Sequence, residues 1–312
     1  MKFFITGGAG FIGSNMTDIL LRKNEVTVFD NLTSGNLDFL KQHKENKKFN
    51  FIKGDLTDMD KVRKTMKGHD FVFHFASNPD IARGAIDTSL DLKQGVLVTY
   101  NILESMRRND IKKIVFPSGS GVYGDVGELY TKESYGPLLP VSMYGASKLG
   151  IEGLISAFSH MFGMRSWIYR FANVVGERQT HGVMLDFIKK LKDNPRELKI
   201  LGDGRQSKSY IHVTDCIDAM LFTINNSNEV VNIFNVATND FTDVNRIAQI
   251  VAETMKLKNV KFSYTGGRVG WKGDVPIVRL DTEKITKMGW KPKMNSEEAV
   301  KKATQEILRR LQ

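Results

Sequence analysis

The chain has 312 residues, is 41% hydrophobic and 26% charged, and carries a net charge of +10, which suits one large domain or two modest ones. No apolar run is long enough to span a bilayer, "MKFFITGGAGF" breaks into glycines too early for a signal peptide, and the lone Cys216 excludes an internal disulfide framework and fits a reducing cytoplasm. The six histidines lack zinc spacing and the basic residues are interleaved with acids, so no metal and no nucleic-acid partner is expected, and the positive charge suits an anionic small ligand.

In chain order, "KFFIT" reads as a buried strand and "FIGSNMTDILLRK" as a helix. "EVTVFD", "FNFIKGD" and "FVFHFA" read as the second, third and fourth strands, "LVTYNILESMRR" as a helix and "KIVFPS" as the fifth strand. Continuous apolar strands alternating with helices predict an α/β fold with a Rossmann-type doubly wound parallel sheet, covered on both faces. A long helix is expected from Ser142 to Phe162, then one strand in "SWIYRFANVVG". Beyond about residue 175 the rhythm loosens. "GVMLDFIKKLKDN" is a helix ended by Pro195, "LKILGDG" a short strand and turn, and "FNVAT" a further strand. "VNRIAQIVAETMKL" and "SEEAVKKATQEILRRL" are amphipathic helices, with apolar positions three and four apart. The expected division is a dinucleotide-binding domain over 1–175, a smaller α/β lobe over 176–312, and a segment near 210–237 that returns to the first domain.

"TGGAGFIG" joins the first strand to the first helix, with Gly7, Gly10 and Gly13 in G-x-x-G-x-x-G spacing. Such glycines allow a tight turn and let backbone N–H groups approach a pyrophosphate, and the helix N-terminus adds partial positive charge. Asp30 ends the second strand, where a carboxylate can accept both ribose hydroxyls of an adenosine. It would repel a 2′-phosphate and no arginine adjoins it, so NAD is favoured over NADP. Asp55, ending the third strand, has two readings: a residue that meets the adenine, or the N-cap of the helix in "DMDKVRKTM".

"YGASK" places Tyr144 and Lys148 four apart, on one face of a helix. A tyrosine used as a base near neutrality needs its pKa brought down from ~10, about 3–4 kcal/mol of preferential phenolate stabilisation. A lysine ammonium and a positively charged nicotinamide are the groups able to supply it.

Together "TGGAGFIG", "FDNLTSG", "KGDLTD", "FHFA", "VYGD", "YGASK", "RFANVVG" and "GWKGDVP" resemble the extended short-chain dehydrogenase/reductases, and among them the nucleotide-sugar epimerases of the UDP-glucose 4-epimerase type. The likeness runs along essentially the whole chain. It implies a bound NAD that takes a hydride from a sugar carbon, usually C4, while Tyr144 removes the hydroxyl proton; the keto sugar then turns over and the hydride returns to its other face. It implies Phe11 and Ile12 near the pyrophosphate and Asp30 and Asn31 near the adenosine ribose, with Ser34 and Gly35 following on the cofactor side. Asp55 and Leu56 would lie near the adenine, and Phe75 and Ala76 along the cofactor. Asn173 matches an asparagine that contacts the sugar diphosphate, Lys208 and Arg268 are matched to its phosphates, and Asp274 to the nucleotide ribose. The bland alternatives are a strand-end backbone partner for Asn173, a solvated cation for Lys208, a turn cap for Asp274 and core packing for Trp271. The resemblance also implies a homodimer, paired through "LVTYNILESM" and "LGIEGLISAFSHMF".

The chain departs from the family pattern around the cofactor. Gly119 stands where a serine or threonine usually bonds the substrate oxygen, Gly95 where an asparagine is frequent, and Pro79 where a lysine is frequent. Ser118 and Ser120 flank Gly119. Regular strand alternation turns both away from the active side, a geometry that Gly119 can loosen, so Ser118, Ser120 (the preferred candidate) or a water is left as the substitute. The acids of the 4,6-dehydratases and decarboxylases are replaced by Ser120 and Gly121, which ranks those reactions low. Val278 occupies a position that borders the sugar, and its small size suggests room for an extended sugar. The leading expectation is a UDP-hexose 4-epimerase. The alternative is a C4 dehydrogenase of another nucleotide sugar, such as a GDP-linked one, and a non-enzymatic NAD-sensing protein ranks last.

Overall fold

The structure, a computed structural model, describes residues 1–78 and 81–311, so Pro79 lies outside the described residues. The first half alternates strands and helices: β1 (Lys2–Thr6), α1 (Phe11–Leu20), β2 (Glu25–Asp30), β3 (Phe49–Lys53), α2 (Met59–Met66), β4 (Phe71–His74), α3 (Val98–Arg108) and β5 (Lys113–Gly119). After the two-residue β6 (Tyr130–Thr131) come α4 (Met143–Phe162), β7 (Arg165–Phe171) and β8 (Asn173–Val175). The second half contains α5 (Val183–Asp193), β9 (Glu197–Ile200), β10 (Ser207–Lys208), β11 (Tyr210–His212), α6 (Val213–Asn226) and β12 (Val231–Val236). It ends with β13 (Thr242–Asp243), α7 (Val244–Thr254), β14 (Lys261–Tyr264), β15 (Arg279–Leu280), α8 (Glu283–Lys287) and α9 (Ser296–Arg310).

Among the described residues seven strands form one parallel sheet in the order β3-β2-β1-β4-β5-β7-β12. Its strands are apolar on both sides because helices cover both. Phe4, Phe29, Val72 and Ile114 pack with Val62, Met66, Ile102 and Met106 of α2 and α3. Phe3, Ile5, Phe73 and Val115 share the opposite cluster with Met16, Leu20, Cys216 and Met220 of α1 and α6. A separate core joins α5, α7 and α9 around Phe187, Ile188, Ile247, Val251, Val300 and Ile307. No helix among the described residues is long and apolar enough to cross a membrane.

Three local readings are corrected. "SWIYRFANVVG" is two strands: β7 ends at Phe171, and β8 turns away to pair with β11, Asn173 opposite Tyr210. The N-cap of α2 is Asp58, whose carboxylate accepts from Lys61 N, so Asp55 does not cap that helix. α3 is preceded by a π-helical turn, Leu92–Leu97, that periodicity alone does not reveal.

Candidate active site

The glycine turn after β1 is shaped by close backbone approach. Gly7 has φ +66°, and a Cβ there would lie 2.6 Å from Ala76 N, where the chain leaves β4. A Cβ on Gly13 would come within 2.8 Å of Gly8 Cα, and one on Gly10 within 3.1 Å of Gly7 O. The turn is closed by Gly10 N donating to Gly7 O at 3.0 Å. Gly10 is the N-cap of α1 and brings no side chain to its first N–H groups, so Phe11, Ile12 and Gly13 begin a helix whose positive end is available to an anion. The residues present therefore fit a dinucleotide pyrophosphate.

Asp30 stands beside this turn at the end of β2. Its carboxylate accepts from Ala9 N at 3.0 Å and Leu32 N at 2.8 Å. Burial raises its pKa, and the two backbone donors work against that rise. Gly35 keeps a side chain from crowding the carboxylate, since a Cβ there would sit 2.9 Å from Asp30 Oδ1. Ser34 is exposed next to it. Asn31 donates to Asp55 at 2.9 Å, and Thr57 donates to the same carboxylate through its backbone and its hydroxyl, which lowers the pKa of Asp55. Leu56 is buried, whereas Phe75 and Ala76 are half-buried along the chain that leaves β4.

Tyr144 and Lys148 lie in the first turns of α4, which Ser142 caps by accepting from Gly145 N at 3.0 Å. A glycine pair seats that helix on the 3-10 turn after β5, because a Cβ on Gly145 would lie 2.6 Å from Gly121 O. Lys148 is 3% exposed. Its ammonium donates to Pro117 O at 2.8 Å and lies 4.6 Å from the Phe116 ring centroid and 5.4 Å from that of Tyr144. Burial pushes the Tyr144 phenol up to about 12, and Asp91 adds to the rise. Burial pushes Lys148 down to about 8, against the pull of Asp91 and Glu152.

Gly119 ends β5, and a Cβ there would meet nothing within 4 Å. Ser118 faces the other way and donates to Glu152 at 2.5 Å. Ser120 is placed differently from the expectation: β5 has ended, and Ser120 opens the 3-10 turn Ser120–Tyr123, where strand alternation no longer applies. Its hydroxyl is half-buried. Gly95 has a packing reason: a Cβ would lie 3.3 Å from Ser147 Oγ and 3.4 Å from Ile151, too tight for an asparagine without a shift of α4.

Sequence reasoning missed the scaffold beneath this pair. Glu152, one turn beyond Lys148, forms a buried pair with Arg170 of β7 at 2.7 Å. Arg170 also donates to Tyr123 Oη at 3.0 Å, and Tyr123 donates to Asn235 at 2.8 Å. The spacing 144, 148, 152 along one helix face was the available signal.

In the second half, Lys208 pairs with Asp274 at 2.7 Å and lies 5.6 Å from the Trp271 ring centroid. The Lys208 side chain is 16% exposed, so it is not a solvated cation. Trp271 is 41% exposed and is not a core residue. Asn173 donates through its side chain to Ser209 O at 3.4 Å. Arg268 is 64% exposed and pairs with Asp125 at 3.2 Å. The loop carrying Asp274 reaches the catalytic helix: a Cβ on Gly273 would lie 3.2 Å from Ser142 Cβ. Val278 is half-buried against the main core. Among the described residues no cluster of His, Cys, Asp and Glu could hold a metal ion.

The chain is similar in sequence and fold to known proteins. The chain is 36% identical over 305 residues to a putative UDP-glucose 4-epimerase of Methanocaldococcus jannaschii, covering 96% of this chain and 95% of that protein. The UDP-glucose 4-epimerase of Thermotoga maritima, solved with UDP-glucose, superposes with a TM-score of 0.90 at 30% identity over 100% of both chains. The Thermus thermophilus UDP-glucose 4-epimerase, solved with NAD, gives 0.88 at 30% identity over 99% of both. The profile of the NAD dependent epimerase/dehydratase family matches residues 3–237, and the chain belongs to that family.

Proposed function

We propose that this chain is an NAD-dependent nucleotide-sugar 4-epimerase acting on a UDP-hexose. The observation that carries it is the Tyr144–Lys148 pair, fixed at the carboxyl end of β5 beside a turn built for a dinucleotide, in a chain similar along its length to UDP-sugar 4-epimerases. Bound NAD supplies the hydride acceptor and donor for the sugar carbon. Gly7, Gly10, Phe11, Ile12 and Gly13 hold its pyrophosphate, and Asp30 and Asn31, with Ser34 and Gly35, hold the adenosine ribose. Asp55 and Leu56 border the adenine, and Phe75 and Ala76 flank the remaining length.

Tyr144 takes the proton of the C4 hydroxyl and gives it back. Lys148, held by Pro117 O, presents a positive charge that favours the phenolate. Ser120 supplies the hydroxyl missing at Gly119. Asn173, Lys208 and Arg268 meet the substrate diphosphate, and Asp274 both orients Lys208 and faces the nucleotide ribose. The first 175 residues, with 210–237, form the cofactor domain, and the rest of the second half forms the substrate lobe. Exposed Leu97 just before α3, Tyr100 on α3 and Met161 on α4 suit a homodimer, which sedimentation tests. The buried, unpaired Cys216 suits a cytoplasmic enzyme.

The open space at Gly119 favours one second reading, a C4 dehydrogenase that releases its keto sugar. Product analysis separates the two. The epimerase converts UDP-glucose to its C4 isomer without net NADH, and Tyr144→Phe loses that conversion by at least ~100-fold. Accumulation of a keto sugar with stoichiometric NADH, or undiminished turnover in Tyr144→Phe, overturns the proposal.

A further inference from the structure

A carboxylate that the mechanism does not use lies next to the pair that it does. Asp91 is 2% exposed and stands just before the π-helical turn Leu92–Leu97. Its Oδ1 accepts from Asn78 Nδ2 at 3.0 Å. Its Oδ2 is buried with no hydrogen-bond partner. An unsatisfied buried carboxylate oxygen is costly and persists where the surrounding structure has a use for it.

Its neighbours show where it sits. Gly84, in the 3-10 turn Ile81–Ala85, is packed between Asp91 and the start of α4: a Cβ there would collide with Asp91 Oδ2 and lie 3.6 Å from Met143 Cβ. Met143 precedes Tyr144. At the other end of the π-turn, Gly95 rests on Ser147, which precedes Lys148. The described residues 81–95 thus touch α4 on either side of this pair, at Met143 through Gly84 and at Ser147 through Gly95, and Asp91 lies between the two contacts in sequence. A π-turn in a helix is a recurrent mark of a functional position.

We infer that Asp91 is a positioning residue for the Tyr144–Lys148 pair: its carboxylate holds Asn78 and the turn carrying Gly84 against the start of α4 and fixes a negative charge beside the phenol and the ammonium. The inference rests on the epimerase reading for its catalytic consequence but not for its electrostatic one. The same charge opposes ionisation of Tyr144 and favours protonated Lys148. Together these keep the pair as phenol and ammonium, the state from which a proton is returned to a sugar oxygen. Other charges near this end of α4 are Lys148 and Glu152 on its own face, Arg83 from the 3-10 turn, Lys93 from the π-turn and Arg170 from β7. Glu152 and Arg170 offset one another, and Arg83 and Lys93 are exposed. Tyr123 from the turn after β5 and His74 from β4 are the uncharged titratable neighbours; burial and Lys148 hold His74 down at about 3. Asp80 lies outside the described residues.

The test compares Asp91→Asn, which keeps an acceptor for Asn78, with Asp91→Ala, which removes both the acceptor and the charge. Phenolate absorbance is titrated in the purified holoprotein, with Tyr144→Phe as the blank that isolates one tyrosine among eight. Both variants are expected to show the Tyr144 phenolate at lower pH than the parent. The acidic limb of kcat/KM for UDP-glucose moves the same way by at least ~0.5 pH unit, about threefold in rate at a fixed pH on that limb. Asp91→Ala alone is expected to raise KM as well, because the turn carrying Gly84 is released. An unmoved phenolate titration in Asp91→Asn overturns the inference, whatever its rate. If the parent has no epimerase activity, the catalytic reading fails on its own, while the titration still decides the role of Asp91.

Discussion

Gly119→Ser restores the hydroxyl that the family pattern places at the end of β5, and the structure says what it costs. Gly119 has φ −161° and ψ 165°, extended backbone that any residue adopts. A Cβ there touches nothing within 4 Å and, by strand alternation, points away from the buried side where Ser118 bonds Glu152. The added side chain meets no clash. Loss of glycine's freedom in the unfolded chain is expected to stabilise the protein by about 0.4–1 kcal/mol. A new hydroxyl bonded to the reacting oxygen is worth roughly 1–3 kcal/mol, about ten- to a hundredfold in rate. Ser120→Ala should lower the rate by a similar factor, and Gly119→Ser in the same chain should recover it. Turnover of UDP-glucose is measured by product analysis, with thermal unfolding alongside to exclude misfolding. If Gly119→Ser gains nothing and Ser120→Ala loses nothing, no serine at this turn serves the reaction.

Two further predictions concern the helix beneath the site. Glu152→Gln leaves Arg170, 3% exposed, without its counter-ion. A broken buried pair costs about 3–5 kcal/mol, or roughly 5–8 °C in Tm for a chain of this size, and Arg170→Met in the same chain should restore part of it. A loss below ~1 kcal/mol would mean that the pair is solvated. Lys148→Met tests the burial of the ammonium. The folded chain binds the Lys148 proton with a pKa of about 8 against an ordinary 10.5, so between those values the unfolded state holds more protons and this group's contribution to stability rises with pH. That contribution is present above 10.5 and lost as pH falls through 8. Denaturant unfolding should therefore favour the parent over Lys148→Met by a growing margin from pH 7.5 to pH 10. Parallel stabilities across that range would contradict it.

The cofactor turn was legible because its cause is local. Positive φ at Gly7 and close backbone approach at Gly7 and Gly13 permit little but glycine, and a strand before and a helix after leave few other readings. Tyr144 and Lys148 were legible for the same reason, since helix spacing alone puts them on one face. Residues whose meaning depends on distant partners were not. Asp55 reads equally as an adenine neighbour and as a helix cap, and only the structure puts Asp58 in the capping place. Ser120 was assigned strand geometry one residue past the strand's end. Lys208 and Asp274 lie 66 positions apart, and only the fold reveals that each is the other's partner. Glu152 and Arg170 read as ordinary charges on an amphipathic helix and a strand, because burial is not written in the sequence.

Burial also changes what the Tyr144–Lys148 spacing means. A neighbouring ammonium lowers a tyrosine's pKa, yet the enclosed surroundings push the phenol up to about 12 and the lysine down to about 8, with Asp91 raising both. The chain's own groups therefore hold the tyrosine protonated at neutral pH. Work as a base then requires positive charge that arrives with a ligand, and the glycine turn and Asp30 are built to bring a dinucleotide to that side of the sheet. The packing of Gly84 and Gly95 against α4 sets this behaviour more than the Y-x-x-x-K spacing itself.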